Sequence, residues 1–420
     1  MKKIIASASL AALGAASVHA ANAPGLTPVE TSKPWSVSAT LRGFYDDNYA
    51  TRPGDVARDS FGFEFSPSVS LNLPLDQTYI GLSYTYGLRY YEARTDNTAD
   101  HSHQFTGKLN HAFTELHKLD LSESFVLAQE PQLIEPPGAT TSPLRTDGDN
   151  IRNTASATFT AELTRLVSVV FGYSNHLYDY DKTGAGSYSA LLDRLEHLGT
   201  LNLRWQAIPS TVFILGYQYG IVDYTSKDSL ALFGPYVNPN VRNNNSHYVY
   251  VGADRYFTHK FNTSIRLGGQ FTEYDNAPTG SPNDTASPYA DANATWTYNP
   301  GSYVQLGIRH ARNQTDIAFF GGGANPTLDQ ESTTVYGQLT HKITPKLKAS
   351  LLGQFQDSSF KGGFADDKTD NYFTGGVNLS YQINPFLSAE TGYAYDRLDS
   401  DLVGRSFTRN RIYIGLRATY

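Results

Sequence analysis

The sequence has no cysteine, so neither disulfide bonds nor thiol chemistry can contribute to it. Beyond residue 20 it also lacks any apolar run near the roughly 20 residues that a membrane-spanning helix needs. The formal net charge of −7 is small for 420 residues and argues against a nucleic-acid-binding surface. If such a chain crosses a lipid bilayer, it must do so as a closed β-barrel.

The first residues are typical of a secretory signal. Met1-Lys2-Lys3 is basic, residues 4–18 are mostly apolar or small, and Val18-His19-Ala20 fits a small-x-small cleavage site. The apolar run is shorter than an uncleaved anchor requires. We therefore expect a signal peptide for Sec export at residues 1–20, a short periplasmic lead-in at 21–34 and an outer-membrane barrel at 35–420.

The rest of the chain alternates between apolar and polar side chains in segments of a dozen or so residues. From Phe261 to Phe271, for example, one face is mainly apolar and the other carries Asn, Ser, Arg and Gln. This period of two indicates strands with one lipid face and one wet face. The 29 tyrosines and 35 glycines suit membrane interfaces and bending strands.

Short and long connections alternate between these segments. Short turns separate sixteen strands, and an opening strand near Trp35 to Tyr49 and a closing one near Arg405 to Tyr420 give about 18, with 16 as the alternative. We therefore predict an all-β, antiparallel up-and-down transmembrane barrel with short periplasmic turns and longer extracellular loops. The predicted turns are Pro74 to Gln77, Leu116 to Leu119, Thr164 to Leu166, Ile208 to Ser210, Thr258 to Lys260, Asn299 to Gly301, Thr344 to Lys346 and Asn384 to Phe386.

The last strand predicts how the barrel is assembled. Ile414, Leu416 and Tyr420 share an apolar face, and Arg417 lies on the other. This segment resembles the C-terminal strand that the outer-membrane barrel assembly machinery recognises. The resemblance implies that Ile414, Leu416 and Tyr420 form the assembly signal.

The first predicted hairpin contains the heptapeptide Gly43-Phe44-Tyr45-Asp46-Asp47-Asn48-Tyr49. With the overall topology, it resembles the β-barrel porin families of Gram-negative-type bacteria, in particular a porin-like family sometimes found beside exopolysaccharide genes. The resemblance implies an outer-membrane channel. It brings no catalytic or ligand residues with it.

Several charged residues fall on the predicted inner face of the barrel. Inward arginines would attract anionic or hydroxyl-rich solutes, whereas pairing with inward acids would only brace a wet wall, and both interpretations stay open. The pore-lining candidates are Arg42, Arg89, Arg204, Arg266, Arg309, Lys348, Arg417, Glu64 and Glu390.

The third outer loop, residues 131–150, is the candidate constriction. It is long and contains four prolines, which restrict its backbone enough to fold into the pore in a fixed shape. An external loop resting on the rim is the alternative. The acids that would face the inward arginines are Glu130, Glu135, Asp147 and Asp149.

Metal and catalytic sites have little support in the sequence. His101 and His103 could form half a metal site, but no third ligand is identifiable. The Asp46-Asp47 pair lacks a recognisable partner constellation for a barrel-rim protease, and no Gly-x-Ser-x-Gly or His-Glu-x-x-His motif occurs. We expect no metal, no cofactor and no enzymatic activity.

Passive diffusion of small hydrophilic solutes is therefore the predicted function, with anion preference as a refinement. Exopolysaccharide export is the first alternative, and a structural or anchoring barrel is the second. The expected partners are outer-membrane lipid and lipopolysaccharide, the assembly machinery and small solutes, with a homotrimer as an option and no nucleic acid. Export would use tyrosines on wet faces to stack on sugar rings: Tyr79, Tyr248, Tyr250, Tyr303 and Tyr336.

Overall fold

The computed structural model describes residues 33–128, 149–281, 283–318 and 325–420. Numbered in chain order, the strands within these ranges are β1 (Trp35–Asp46), β2 (Ser60–Pro74), β3 (Thr78–Tyr91), β4 (Ala99–Ala112), β5 (His117–Ala128), β6 (Asn150–Glu162), β7 (Val167–Tyr180), β8 (Arg194–Ile208), β9 (Thr211–Tyr224), β10 (Asn244–Thr258), β11 (Phe261–Tyr274), β12 (Asp284–Asn299), β13 (Ser302–Asn313), β14 (Asp329–Lys342), β15 (Leu347–Lys361), β16 (Thr369–Asn384), β17 (Leu387–Ser400) and β18 (Phe407–Thr419).

These strands form one 18-stranded sheet in which each strand runs antiparallel to its neighbours along the chain. The sheet closes because β1 pairs with β2 on one side and with β18 on the other. The predicted up-and-down barrel, with 18 rather than 16 strands, is confirmed.

Helical structure is confined to the long connections. One α-helix, α1 (Tyr188–Leu192), and the 3-10 turns Gly54–Val56, Pro239–Arg242 and Gly363–Ala365 occur in the described ranges. None of these helices is long and apolar enough to span a membrane.

Seven of the eight predicted short turns lie between the strand pairs where the sequence predicts them. The predicted turn Leu116 to Leu119 is wrong, because β5 begins at His117 and the turn occupies residues 113–116. Threonine explains four of them, because its hydroxyl accepts backbone N–H bonds that the turn leaves unpaired. Thr164 Oγ1, for instance, accepts from the N–H groups of Leu166 at 3.2 Å and Val167 at 3.0 Å. Thr114, Thr258 and Thr344 make the same pair of bonds.

Strand ends at the long-loop rim differ in detail from the prediction. β1 ends at Asp46 rather than Tyr49, and β18 begins at Phe407 rather than Arg405. β4 begins at Ala99 within a polar stretch, because Ala99 pairs with Tyr90. Polar sequence above the membrane does not stop backbone pairing, so polarity alone misplaces these ends.

The outer surface of the barrel is apolar. Trp35, Trp205 and Trp296 are all exposed near the short-turn rim, as the aromatic girdle of an outer-membrane barrel requires. Ile414, Leu416 and Tyr420 are exposed on the same outer surface at 70%, 49% and 63%. Their role as an assembly signal stays a prediction.

The inner wall is polar, and its large aromatic rings lie over glycines of the next strand. Tyr250 is paired with Gly216, and a Cβ on Gly216 would meet the tyrosine ring at 2.1 Å. Tyr413 covers Gly392 in the same way. Glycine thus makes room for a ring to lie flat along the wall, which seals gaps without an apolar core.

Candidate functional site

Charged side chains meet on the inner wall where β1 closes on β18. The Arg42 guanidinium donates to Glu64 Oε1 at 3.0 Å and to the Glu390 carboxylate. Arg89 donates to Glu64 Oε2 at 2.9 Å. These four residues, which we call the seam ladder, form a continuous row of alternating charge from β17 to β3.

A missing side chain allows the seam ladder to cross β18. Gly415 is paired with Glu390 on one side and with Arg42 on the other. A Cβ on Gly415 would lie 2.6 Å from Arg42 Cγ and from the Leu41 carbonyl oxygen. Glu390 can therefore reach Arg42 from two strands away only because residue 415 is glycine.

The heptapeptide of the first hairpin joins the same two strands, β1 and β18, nearer the long-loop rim. Asp46 accepts from Arg409 Nε at 2.9 Å, and both groups are buried. Asp47 accepts from the backbone N–H and the side-chain amide of Asn410, each at 2.6 Å. Asn48 donates to the carbonyl of Thr408 at 2.8 Å. The motif's acids are thus occupied in joining β1 to β18.

A second charged row lies on the opposite side of the barrel, on β8 to β13. Asp254 accepts from Arg204 Nη2 at 2.9 Å and from Arg266 Nη2 at 2.7 Å. Asp291 and Arg309 follow in register with Arg266. We call these five residues the far-wall ladder.

The far-wall ladder ends in a loose pair. Arg309 and Asp291 are directly opposed on neighbouring strands, yet Nη1 and Oδ2 are 4.0 Å apart, too far for a hydrogen bond. Arg309 Nε is buried and has no hydrogen-bond partner among the described residues. The two side chains keep 18% and 24% of their surface exposed. Arg309 is therefore held much less tightly than Arg42.

The remaining cations from the predicted set lie nearer the short-turn rim. Lys348 on β15 is partly buried, and Arg417 lies on β18. Arg417 is paired with Thr40 and Ser388, both hydroxyl residues. In the described part of the chain, no carboxylate lies within ion-pair distance of Lys348. Among the candidates, the charged pairs of the seam ladder and of Arg204 and Arg266 are tight, whereas the Arg309 pair is loose and Lys348 has no carboxylate at ion-pair distance in the described ranges.

Most of the predicted constriction lies outside the described residues. Glu130, Glu135 and Asp147 fall there. Asp149 is described: it is exposed just before β6, and its carbonyl accepts from the Asp181 N–H at 3.1 Å. The inward fold of residues 131–150 stays a prediction.

Two loop arginines that the sequence pattern does not single out tie the long connections together. Arg242 is fully buried and donates to the carbonyls of Leu191 at 2.8 Å and Thr315 at 2.5 Å. Arg405 forms a forked pair with Asp316, both bonds at 2.8 Å. The β13–β14 connection is thus held from the β9–β10 connection and from the β17–β18 connection, on two sides of the mouth.

The surroundings of these two arginines have opposite electrostatic effects. Burial lowers the pKa of Arg242, because its hydrogen-bond acceptors are neutral carbonyls. Burial acts in the same direction on Arg405, but Asp316 and Asp370 outweigh it and raise the pKa of that guanidinium. Loops have no periodic pattern, so only their arginine content could have hinted at this role.

The predicted half metal site faces outward. His101 bonds with the Tyr86 hydroxyl at 2.7 Å and His103 with the Tyr84 hydroxyl at 2.9 Å. Within the described ranges, no group of three or more metal-ligating side chains forms. These histidines and tyrosines therefore form cross-strand pairs on the outer surface.

Comparison with known proteins identifies the family. The profile of the family described as "Putative beta-barrel porin 2" matches residues 36–420, nearly the whole barrel. The chain belongs to this family. It is therefore a multi-pass β-barrel of the outer membrane, and the predicted family and location are confirmed. No curated protein matches the sequence.

Solved structures similar to this porin-family chain come from several bacteria. The outer membrane protein OpdK of Pseudomonas aeruginosa has 12% identity and a TM-score of 0.45, over 92% of this chain and 99% of its own. OccAB4 of Acinetobacter baumannii has 14% identity and a TM-score of 0.44, with the same coverage. The FrpB iron transporter of Neisseria meningitidis has 9% identity and a TM-score of 0.45, over 92% of this chain and 81% of its own.

Proposed function

We propose that this barrel is a passive channel for small hydrophilic solutes, with a preference for anions. Two opposed rows of charge and many hydroxyl and amide side chains line the inner wall, where a packed core would be apolar. Barrels of 16 to 18 strands in the outer membrane leave an aqueous passage. This polar wall supports diffusion through water rather than catalysis, and no enzymatic role is proposed.

The anion preference is carried by one observation. Acids neutralise the arginines of the seam ladder, whereas in the described ranges no carboxylate lies within ion-pair distance of Lys348. Lys348 is thus an uncompensated cation, and such a charge on a low-dielectric wall attracts anions from the neighbouring water. Loosely paired Arg309 adds to the same field from the far wall.

Planar-bilayer recording of the refolded mature protein tests this proposal. In a KCl gradient we expect stable single-channel steps and a reversal potential with the sign for chloride preference. Lys348→Gln should move the reversal potential toward zero. Lys361→Gln is the matched control, because Lys361 already pairs with Asp367 at 3.1 Å outside the membrane band.

A folded barrel that passes no current would overturn the channel proposal. Cation preference in the wild-type protein would overturn the refinement alone. Homotrimer formation, binding of lipopolysaccharide and recognition by the assembly machinery stay predictions. Polysaccharide export is not advanced, because Tyr250 and Tyr336, two of its candidate residues, are buried over paired glycines.

A further inference from the structure

The Arg309 guanidinium is incompletely hydrogen-bonded on the inner wall. Its Nε is buried with no partner in the described part of the chain, and its contact with Asp291 spans 4.0 Å. A buried donor without a partner destabilises the state that buries it. Such groups in native structures are normally satisfied by water or a ligand.

Buried tyrosines occupy the wall on both sides of Arg309 along its strand. The Tyr336 ring lies over Gly307, two residues before Arg309 on the same face, where a Cβ would come within 2.2 Å of the ring. Tyr289 packs with Ala311, two residues after Arg309. Both rings are buried, whereas the Arg309 side chain keeps 18% of its surface exposed.

Asp291 adds a hydrogen-bond acceptor to the site. Its carboxylate can accept a hydrogen bond from a hydroxyl group, while the guanidinium can bind a carboxylate. A solute with both groups on neighbouring carbons would bridge these two side chains, whose nearest charged atoms are 4.0 Å apart, and bond to each. The negative charge of Asp291 would at the same time disfavour a multiply charged anion such as phosphate.

We propose that Arg309 and Asp291 form a binding subsite for small hydroxycarboxylates. The solute carboxylate binds Arg309, and the adjacent hydroxyl donates to Asp291. The subsite rests on the proposed channel function for its physiological meaning, since it would select among solutes that the lumen admits.

Lactate and propionate test this subsite, because they differ by one hydroxyl. In bilayer recordings of the wild-type channel, we expect lactate to reduce the chloride current at a concentration about tenfold lower than propionate does. Asp291→Ala removes the hydrogen-bond acceptor and should bring lactate to the level of propionate. Arg309→Gln should weaken the effect of both anions by about tenfold.

Arg397→Gln is the matched control, because Arg397 pairs with Asp399 near the long-loop rim and its side chain is 55% exposed. It should leave lactate block unchanged. Equal effects of lactate and propionate on the wild type, or unchanged block in Arg309→Gln, would overturn the subsite.

If the channel passes no current, a second measurement still tests the subsite. Saturation-transfer NMR on the methyl group of lactate detects binding to the folded barrel in detergent without any current. Binding that disappears in Arg309→Gln would preserve the subsite while the channel proposal fails. Absence of binding in the wild type would refute the subsite.

Discussion

The seam ladder and the far-wall ladder are both built from arginines and acids, but their directly opposed pairs differ in distance. Arg42 and Glu64 are directly opposed on neighbouring strands and lie 3.0 Å apart. Arg309 and Asp291 are opposed in the same way and lie 4.0 Å apart. Glutamate is one methylene longer than aspartate, so Glu64 reaches its directly opposed arginine and Asp291 does not, whereas Asp254 bonds arginines that are offset from it in register. A single methylene thus separates a closed structural pair from a pair open to a solute.

The strongest way to break the seam is to fill its gap. Gly415→Ala would put a methyl group 2.6 Å from Arg42 Cγ and from a backbone oxygen. We expect a loss of about 3 kcal/mol or more in unfolding free energy, from overpacking and a broken buried ion pair. Urea unfolding in micelles, followed by heat-modifiable gel mobility, measures it.

Gly43→Ala is the control for this substitution. Gly43 lies in the same seam, opposite Ile414, and a Cβ there would meet nothing within 4 Å. If both alanine variants lose the same stability, the gap at Gly415 has no special role.

Removing one charge from each ladder compares them directly. Glu390→Gln leaves a buried guanidinium with one acid instead of two, and we expect a loss of about 2 kcal/mol. Asp291→Asn breaks only a 4.0 Å contact, so its loss should stay below about 0.5 kcal/mol. The same urea titration checks both, and equal losses would contradict the comparison.

Replacing Asp291 with the longer glutamate should give the far-wall pair the close contact of the seam pair. Asp291→Glu is expected to reach Arg309, raise the unfolding free energy by about 0.5–1 kcal/mol and weaken lactate block. Urea titration and bilayer recording of the same preparation measure these effects. A more stable barrel with undiminished lactate block would show that the open pair is not the subsite.

The smallest expected effect lies above the far wall, in the β7–β8 connection. Burial raises the pKa of Asp193 to about 6, so the folded chain favours the protonated carboxyl. Its stabilising contribution is full below the ordinary value of 3.8 and is lost as the pH rises through about 6.

Amide exchange in α1 measures this effect, since Asp193 accepts from Ser189 in that helix and from the Tyr180 N–H at 2.8 Å. Exchange should become faster between pH 4 and pH 7 by more than the intrinsic chemical rate. Asp193→Asn should remove the excess, and an unchanged profile in that variant would contradict the assignment.

Sequence alone predicted the parts of this molecule that follow a local rule. A period of two identified the strands, and the short connections between them placed most of the turns. The same period assigned both Arg42 and Arg309 to the inner face, but it could not distinguish them. That difference depends on which acid lies opposite and how long it is.

Partners far apart in the chain were beyond such rules. Glu390 is 348 residues from Arg42, and their contact depends on sheet closure and on an intervening glycine. Asp291 was not among the predicted pore-lining residues, although it faces Arg309. Arg242 and Arg405 lie in connections, where no repeating pattern predicts a buried side chain.

The gap at Gly415 also marks when the barrel has closed correctly. A slip of two residues between β18 and its neighbours would keep every apolar side chain facing lipid, so hydrophobicity alone would not penalise it. It would, however, bring Tyr413 or Arg417 into the path between Glu390 and Arg42. A misaligned barrel would then lack this ion pair and be less stable than the aligned one. The absence of a side chain at position 415 therefore favours the correct register when the barrel closes.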